Sequence, residues 1–321
     1  MKKDGSKVKM KFKSLKASVQ QTITLSKRSV FFSSQGVRIF PAHKSTKGMV
    51  FKLGNGDKNG NLMRLLKDNS DRKVSKNGFK LNRSSKLVFD RGKGAFYIHV
   101  VLERQKKWAE DEDDNQVNIE PRVIALDPGV RTFQTGYSPN GEVIEFAPGD
   151  IGKLARLHHW LDKLSSDISK CKNNKTKRRR LRLRRFKAQS RINNLVSEVH
   201  KQTASYLVKH FDVILLPEFG TQNMVRKLQR GGKKRLIGRR SVRKLLVRRH
   251  YQFKIWLLQK AAEYGKTVVI VDESYTSKTC SSCGWYDCNL RGKKVFNCST
   301  CDLVLDRDVN AAKNILLKNT C

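Results

Sequence analysis

Two pairs of cysteines and a few acidic residues at the ends of apolar runs carry the chemistry legible in this chain. Cys280 and Cys283 form one CxxC unit and Cys298 and Cys301 another, with fourteen residues between them. That separation closes a tetrahedral site of four thiolates, soft ligands that suit Zn²⁺, and four protein ligands leave no open position for catalysis. One structural zinc ion is therefore expected, holding a small ribbon that buries too little apolar surface to fold alone. The paired spacing weighs against a redox dithiol or four unrelated cysteines. Cys171, Cys288 and Cys321 fall outside the pattern and are expected as free thiols.

Among the acids, Asp127 closes the run Val-Ile-Ala-Leu-Asp-Pro-Gly, Glu218 closes Val-Ile-Leu-Leu-Pro-Glu-Phe-Gly, and Asp308 opens a C-terminal helix. Side chains at such ends leave the packed layers while staying rigidly held, which is where open α/β sheets bind ligands. Carboxylates brought together there can hold two hard cations about 3.5–4 Å apart, which activate water and stabilise a leaving oxygen in phosphodiester hydrolysis. Mg²⁺, as two ions, is the expected metal. Each acid alone also reads as an ordinary turn or first-turn residue. On chemistry alone Asp306 is as good a choice as Asp308.

The elements that must position these residues follow from periodicity. From Val8 to about Arg104 short β-like runs alternate with Gly, Asn and Ser, and Leu87–Asp90 and Ala95–Leu102 flank Arg-Gly-Lys-Gly as a hairpin. Glu110–Asp114 is an acidic run that resists burial and reads as a linker, with a domain boundary near Asn118. Beyond it, Arg122–Asp127, Thr132–Tyr137 and Glu142–Phe146 predict a three-strand meander. Ile192, Leu195, Val196, Val199, Thr203, Tyr206 and Leu207 predict a helix, Asp212–Pro217 a buried strand, Tyr251 to Gly265 a second helix, and Thr267–Val271 another buried strand. Strands followed by alternating helix and strand argue for an α/β sheet.

Composition identifies the partner class. In 321 residues, 68 Lys and Arg stand against 28 Asp and Glu, a formal charge of +40 that exceeds what solubility needs and points to a polyanion. There is no apolar run of membrane-spanning length and no basic amphipathic helix with a Trp/Phe/Leu face, so membrane attachment is not expected. The basic N-terminus lacks the apolar core of a secretory signal, and an intracellular location is expected, nuclear in a eukaryotic host and otherwise cytoplasmic. Lys172–Arg191 and Arg226–Arg249 are the densest basic runs. Lys177, Arg178, Arg179, Arg180, Arg182, Arg184, Arg185, Arg239 and Arg240 are the expected phosphate contacts, with Leu181, Leu183 and Phe186 packing a helix face inward.

Asp127-Pro-Gly-Val-Arg-Thr-Phe, the Pro-Glu-Phe-Gly around Glu218, Thr276-Ser-Lys-Thr-Cys-Ser-Ser-Cys-Gly and Asp306-Arg-Asp-Val-Asn-Ala-Ala-Lys-Asn-Ile occur here in order. Together they resemble the TnpB/Fanzor family of transposon-associated, RNA-guided DNA nucleases. The resemblance covers about Arg122 to Leu317. It implies an α/β RNase H-like (RuvC) nuclease domain over 119–273 and 304–321, interrupted by a four-cysteine zinc ribbon at 274–303 and preceded by a β-rich wedge-type, OB-like barrel domain at 1–118. By motif match it also implies Asp127, Glu218 and Asp308 as the catalytic carboxylates, with a guide RNA and target DNA as partners. Family members usually carry a helical recognition insert near the N-terminus, and no counterpart is visible in this sequence. The expected activity is RNA-guided DNA cleavage. A catalytically silent nucleic-acid-binding protein and a strand-transfer transposase on the same scaffold are the rival readings.

Overall fold

In the first of two units, residues 1–105, β1 (Gln20–Leu25), β2 (Val30–Ser33), β3 (Gly36–Ile39), β4 (Ser85–Asp90) and β5 (Ala95–His99) follow one another. β4 and β5 are the expected hairpin, Asp90 lying opposite Ala95, and β1 pairs antiparallel with the other edge of β4. β2 and β3 form a second antiparallel pair. Val30, Phe32 and Val37 from that pair are buried with Leu25, Leu66 and Leu81, so the β-branched and aromatic residues that favour these strands also make the unit's core. The structure is a computed structural model that describes residues 20–33, 35–47, 49–52, 66–67, 80–90, 94–102, 120–226, 237–290 and 292–320. The expected linker at Glu110–Asp114 and the boundary near Asn118 lie outside these residues.

The second unit, residues 106–321, opens with the expected meander of β6 (Val123–Pro128), β7 (Gln134–Tyr137) and β8 (Val143–Phe146), antiparallel throughout. Its second turn is the Ser-Pro-Asn-Gly segment, where Ser138 donates its N–H to Glu142 and Gly141 takes the left-handed φ of 81°. Two long helices follow, α1 (Ile151–Lys170) and α2 (Lys175–His210), then β9 (Val213–Pro217), α3 (Thr221–Val225), α4 (Arg239–Arg248), α5 (His250–Glu263) and β10 (Thr267–Val271). The chain ends in a two-stranded ribbon of β11 (Val295–Asn297) and β12 (Val304–Asp306) and in α6 (Arg307–Thr320). β9 runs parallel to β6 and β10 parallel to β9, so the sheet order is β10-β9-β6-β7-β8.

The sheet is covered on both faces, which explains why β6 and β9 read as continuous apolar runs rather than alternating ones. On one face Ile124, Leu126, Phe133, Ile214 and Leu216 meet Leu207 and Val208 of α2 and Phe253 and Leu257 of α5. On the other, Ala125, Leu215 and Val271 meet Ile315 and Leu316 of α6. β10 departs from expectation. Its position at the sheet edge leaves Val269 40% and Ile270 37% exposed, so it is not a fully buried strand.

α2 is longer than the apolar periodicity indicates. It runs through the basic string to Asn174, whose side chain accepts the Lys177 N–H at 2.8 Å as an N-cap. α1 was not among the predicted elements, although Leu154, Leu157, Leu161 and Leu164 carry the helical spacing that marks it. These leucines pack against Leu181, Ala188, Ile192 and Val196 of α2. No helix among the described residues is long and apolar enough to cross a membrane.

Candidate functional site

Three neighbouring parallel strands deliver acids to one end of the sheet. Asp127 is the last residue but one of β6, Glu218 follows the last residue of β9, and Glu273 lies two residues beyond β10. Asp308 arrives from the first turn of α6, the helix packed on the Ala125 face of β6. The loop after Asp127 passes it closely. A Cβ at Gly129 would stand 3.7 Å from Oδ2 of Asp308 and only 2.6 Å from the Thr132 carbonyl oxygen, so a larger residue is excluded there.

Burial pushes the Asp127 carboxyl well above the usual carboxylate range, and the nearby charges of Asp308, Glu273 and Asp306 push it further, with Arg307 opposing them. Glu273 is raised to about 7, by burial first and then by Asp272. Crowded negative charge of this kind, made of hard oxygen donors, suits a divalent cation. Glu273 is the acid that sequence reasoning missed. Its signal was available, since it follows an apolar strand just as Asp127 and Glu218 end theirs.

The two acids that chemistry left equivalent have different surroundings. Asp306 accepts the Asp308 backbone N–H at 2.9 Å, and its other oxygen lies 3.6 Å from Lys294. Asp308 is paired with Arg307 at 2.8 Å and faces the Gly129 loop. Glu218 is exposed, tied to β10 by its backbone N–H donating to Val271, and its side chain lines a cavity outside β9. Asp127 and Asp308 are thus brought together with Glu273, whereas Glu218 stands at the neighbouring strand end.

A buried arginine holds the loop that follows Asp127. Arg248, at the end of α4, keeps 2% of its side-chain surface exposed. It pairs with Asp150 at 2.7 Å and donates to the carbonyl oxygens of Val130 at 3.3 Å and Arg131 at 3.0 Å. Its own carbonyl is bonded to the His200 ring at 2.8 Å, and Arg249 donates to Asn193 at 2.6 Å. The α4–α5 junction, α2 and the start of α1 therefore converge on residues 130–131. From the other side, Arg131 reaches the Gly292 carbonyl of the ribbon at 3.4 Å.

The four predicted zinc ligands meet. The Sγ atoms of Cys280, Cys283, Cys298 and Cys301 all lie within 4.8 Å of one another, a set compact enough for one ion. Both CxxC segments turn tightly: Gly284 donates to the Cys280 carbonyl, and Cys298 donates to Leu303. Phe296 and Leu290 supply a minimal core. The ribbon is stitched to α6 by two asparagines. Asn310 accepts from Ser281 N–H at 3.0 Å and donates to the Thr279 carbonyl at 2.7 Å, and Asn314 donates to the carbonyls of Thr276 and Thr279.

Of the expected phosphate contacts, Lys177, Arg179, Arg180, Arg182, Arg184, Arg185, Arg239 and Arg240 are exposed, and Arg178 is half-buried. Leu181 packs inward as expected. Leu183 does not: it is 40% exposed, being turned away from the side of α2 that Leu181 and Ala188 bury. Part of the second basic run is structural rather than free, since Arg243 pairs with Asp162, Arg248 with Asp150, and Arg249 donates to Asn193.

Residues 250–315 match a family model described as Cas12f1-like, TNB domain. A TnpB-like protein of Acanthamoeba polyphaga mimivirus is 34% identical over 204 residues, 62% of this chain and 38% of the viral protein. The chain is similar to TnpB-like proteins over that region. It is also similar to the CRISPR-associated endodeoxyribonuclease Cas12f1 of Sulfoacidibacillus thermotolerans, 38% identical over 71 residues, 22% of this chain and 17% of that protein. The solved Cas12f1-sgRNA-target DNA complex aligns with 77% of this chain and 63% of that one, at a TM-score of 0.44 and 16% identity. The segment matched spans less than half the length of that viral relative.

Proposed function

We propose that this chain is the nuclease portion of an RNA-guided DNA endonuclease of transposon origin, with guide RNA and target DNA as its partners. The observation that carries the reading is the convergence of Asp127, Glu273 and Asp308, with Glu218 beside them, at one end of three parallel strands, where burial and then the crowded acids push Asp127 towards its protonated form. The meander followed by two parallel strands supports an RNase H-like core over 119–273 and 304–321, and the β-rich first unit supports a wedge-type barrel within 1–118. The ribbon at 274–303 would hold one zinc ion through its four thiols. Among the described residues no helix is long and apolar enough to cross a membrane, and we place the protein inside the cell, in the nucleus if the host is eukaryotic and otherwise in the cytoplasm.

Asp127, Glu218 and Asp308, joined by Glu273, would hold two Mg²⁺ ions. Bound there, the ions supply an activated water and offset charge on the leaving oxygen. The residues' own part is positional. Arg248 fixes the loop behind Asp127, and Asp306 caps the turn that presents Asp308. Exposed cations on α2 and at the start of α4 offer phosphate contacts without base specificity, so sequence choice falls to guide pairing. Asp308, rather than Asp306, is the third carboxylate on this reading, because it faces the Gly129 loop and its charge acts more strongly on Asp127, while Asp306 caps the helix.

The test is co-expression with the native flanking DNA, sequencing of any RNA that copurifies, and incubation of the complex with a randomised-flank target library and Mg²⁺. Matched targets should be cut by wild type and not by Asp127→Ala. RNA binding without cleavage in either protein would make this a binding module, and joined rather than cut strands would identify strand transfer.

A further inference from the structure

Two arginine–aspartate pairs tie α4 to α1, Arg248 with Asp150 and Arg243 with Asp162, and a cavity of about 350 Å³ lies between the two helices. That volume is within the range of about 300–1,000 Å³ usual for small-molecule pockets. Ile151, Leu154 and Val247 give it an apolar floor that belongs to the α1–α2 core. Its wall is basic, with Arg240, Arg243 and Lys244 from α4 and His158 from α1. None of Asp127, Glu218, Glu273 or Asp308 lines it.

The charges on that wall do not balance. Asp162 accepts from both terminal nitrogens of Arg243, at 2.5 and 2.6 Å, so these two charges cancel and the fork fixes one side of the cavity. Arg240 and Lys244 remain, one helical turn apart, where like charges repel. Neither side chain has a hydrogen bond or an ion pair among the described residues, although Lys244 is half-buried. Drawing an ammonium out of water without a partner is costly, and an anion in the cavity offsets that cost. Burial, and then the Arg243 charge, hold the His158 imidazole below its ordinary value against the pull of Asp162, so it adds no charge at pH 7. Two uncompensated cations beside an apolar floor match a phosphomonoester, which carries about −1.5 to −2 at neutral pH. A backbone phosphodiester carries only a single charge.

We propose that the cavity between α1 and α4 binds a phosphomonoester, its phosphate between Arg240 and Lys244 and the organic group it esterifies against Leu154 and Val247. The same chemistry is presented by the phosphorylated end of a nucleic-acid strand and by a free mononucleotide. The site goes beyond the nuclease reading and does not depend on it.

Lys244 reports occupancy directly, through acylation of its amine in the full-length chain followed by mass spectrometry, with exposed Lys163 of α1 as internal reference. The additions are adenosine 5′-monophosphate, adenosine, a 5′-phosphorylated RNA hexanucleotide and its 5′-hydroxyl twin. At least one phosphorylated addition should slow labelling of Lys244 about tenfold beyond its phosphate-free counterpart, as for a charge-assisted hydrogen bond, with Lys163 unmoved. Protection by the hexanucleotide alone assigns the site to a strand end, and by the mononucleotide alone to a free nucleotide. Arg240→Gln, a change at an exposed position, should abolish the difference, whereas Arg182→Gln on α2 should keep it. Equal protection by phosphorylated and phosphate-free additions, or a difference that survives Arg240→Gln, would overturn the proposal. Lys244 unprotected throughout, with Lys177 shielded by both hexanucleotides, would overturn it while leaving the nucleic-acid reading intact. Shielding of neither lysine would overturn both.

Discussion

At Glu273, burial and the neighbouring charge of Asp272 raise the carboxyl from its ordinary value of 4.5 to about 7, which has a definite thermodynamic sign. The folded chain keeps this proton to higher pH than the unfolded chain, so the residue's contribution to stability falls as pH rises from about 4.5 to 7. His200 and His250, lowered by burial to about 4 and about 3, act oppositely, but they are common to wild type and variant and cancel in a comparison. Metal-free Glu273→Gln should therefore exceed wild type in stability at pH 8 by roughly 2 kcal/mol, allowing for the residue's partial exposure. That gain should disappear at pH 5. Mg²⁺ should stabilise wild type more than the variant at pH 8. Thermal melts at the two pH values, with and without Mg²⁺, check both parts, and an equal response in the two proteins would remove Glu273 from the metal-binding group.

Between elements, the decisive contacts are polar bridges between packed layers. Arg248 ties α4 to α1 through Asp150 and to the loop behind β6 through two carbonyl oxygens. Removing it leaves Asp150 and those carbonyls without their donor. Arg248→Met should destabilise the second unit by about 3 kcal/mol, the lower end for a broken buried pair, because Asp150 keeps 24% of its side-chain surface in water. Urea unfolding measures this, and hydrogen exchange should show faster exchange at residues 130–133 than elsewhere. A uniform change, or none, would mean that Arg248 does not organise that loop. The asparagines of α6 make a comparable bridge to the ribbon, so the segment around Asp308 ties the four-cysteine ribbon to the acidic cluster.

Over the whole molecule, charge dominates. With a formal charge of +40, binding to nucleic acid should weaken steeply with salt, as log affinity against log salt. Arg179, Arg180, Arg182 and Arg184 are exposed on α2. Replacing all four with Gln should lower the slope by about one for each phosphate no longer neutralised. Arg243→Gln, which removes a cation already paired with Asp162, should leave the slope nearly unchanged. Filter binding or fluorescence anisotropy across a salt series separates these outcomes, and equal slopes for all three proteins would place the phosphate-binding surface elsewhere.

Much of this site was legible in one dimension. The cysteine pairs are local in sequence, and their spacing alone predicts a common centre. Asp127 and Glu218 are marked by the apolar strands that end in them, because a strand's burial pattern is a property of its own residues. What the sequence could not decide were relations between distant segments. Glu273 joined the group when β10 took its place beside β9, and Asp306 and Asp308, equivalent on local chemistry and told apart in the sequence only by motif match, differ physically in which one faces the Gly129 loop. Likewise, Arg248 and Arg243 look like phosphate contacts in a basic run, and tertiary packing gave them Asp150 and Asp162 instead. Composition and periodicity indicated which segments were strand or ribbon and pointed to a polyanion as partner. The pairing of charges, and the cavity beside Glu218, belong to the tertiary structure, since Coulomb attraction and burial depend on separation in space rather than along the chain.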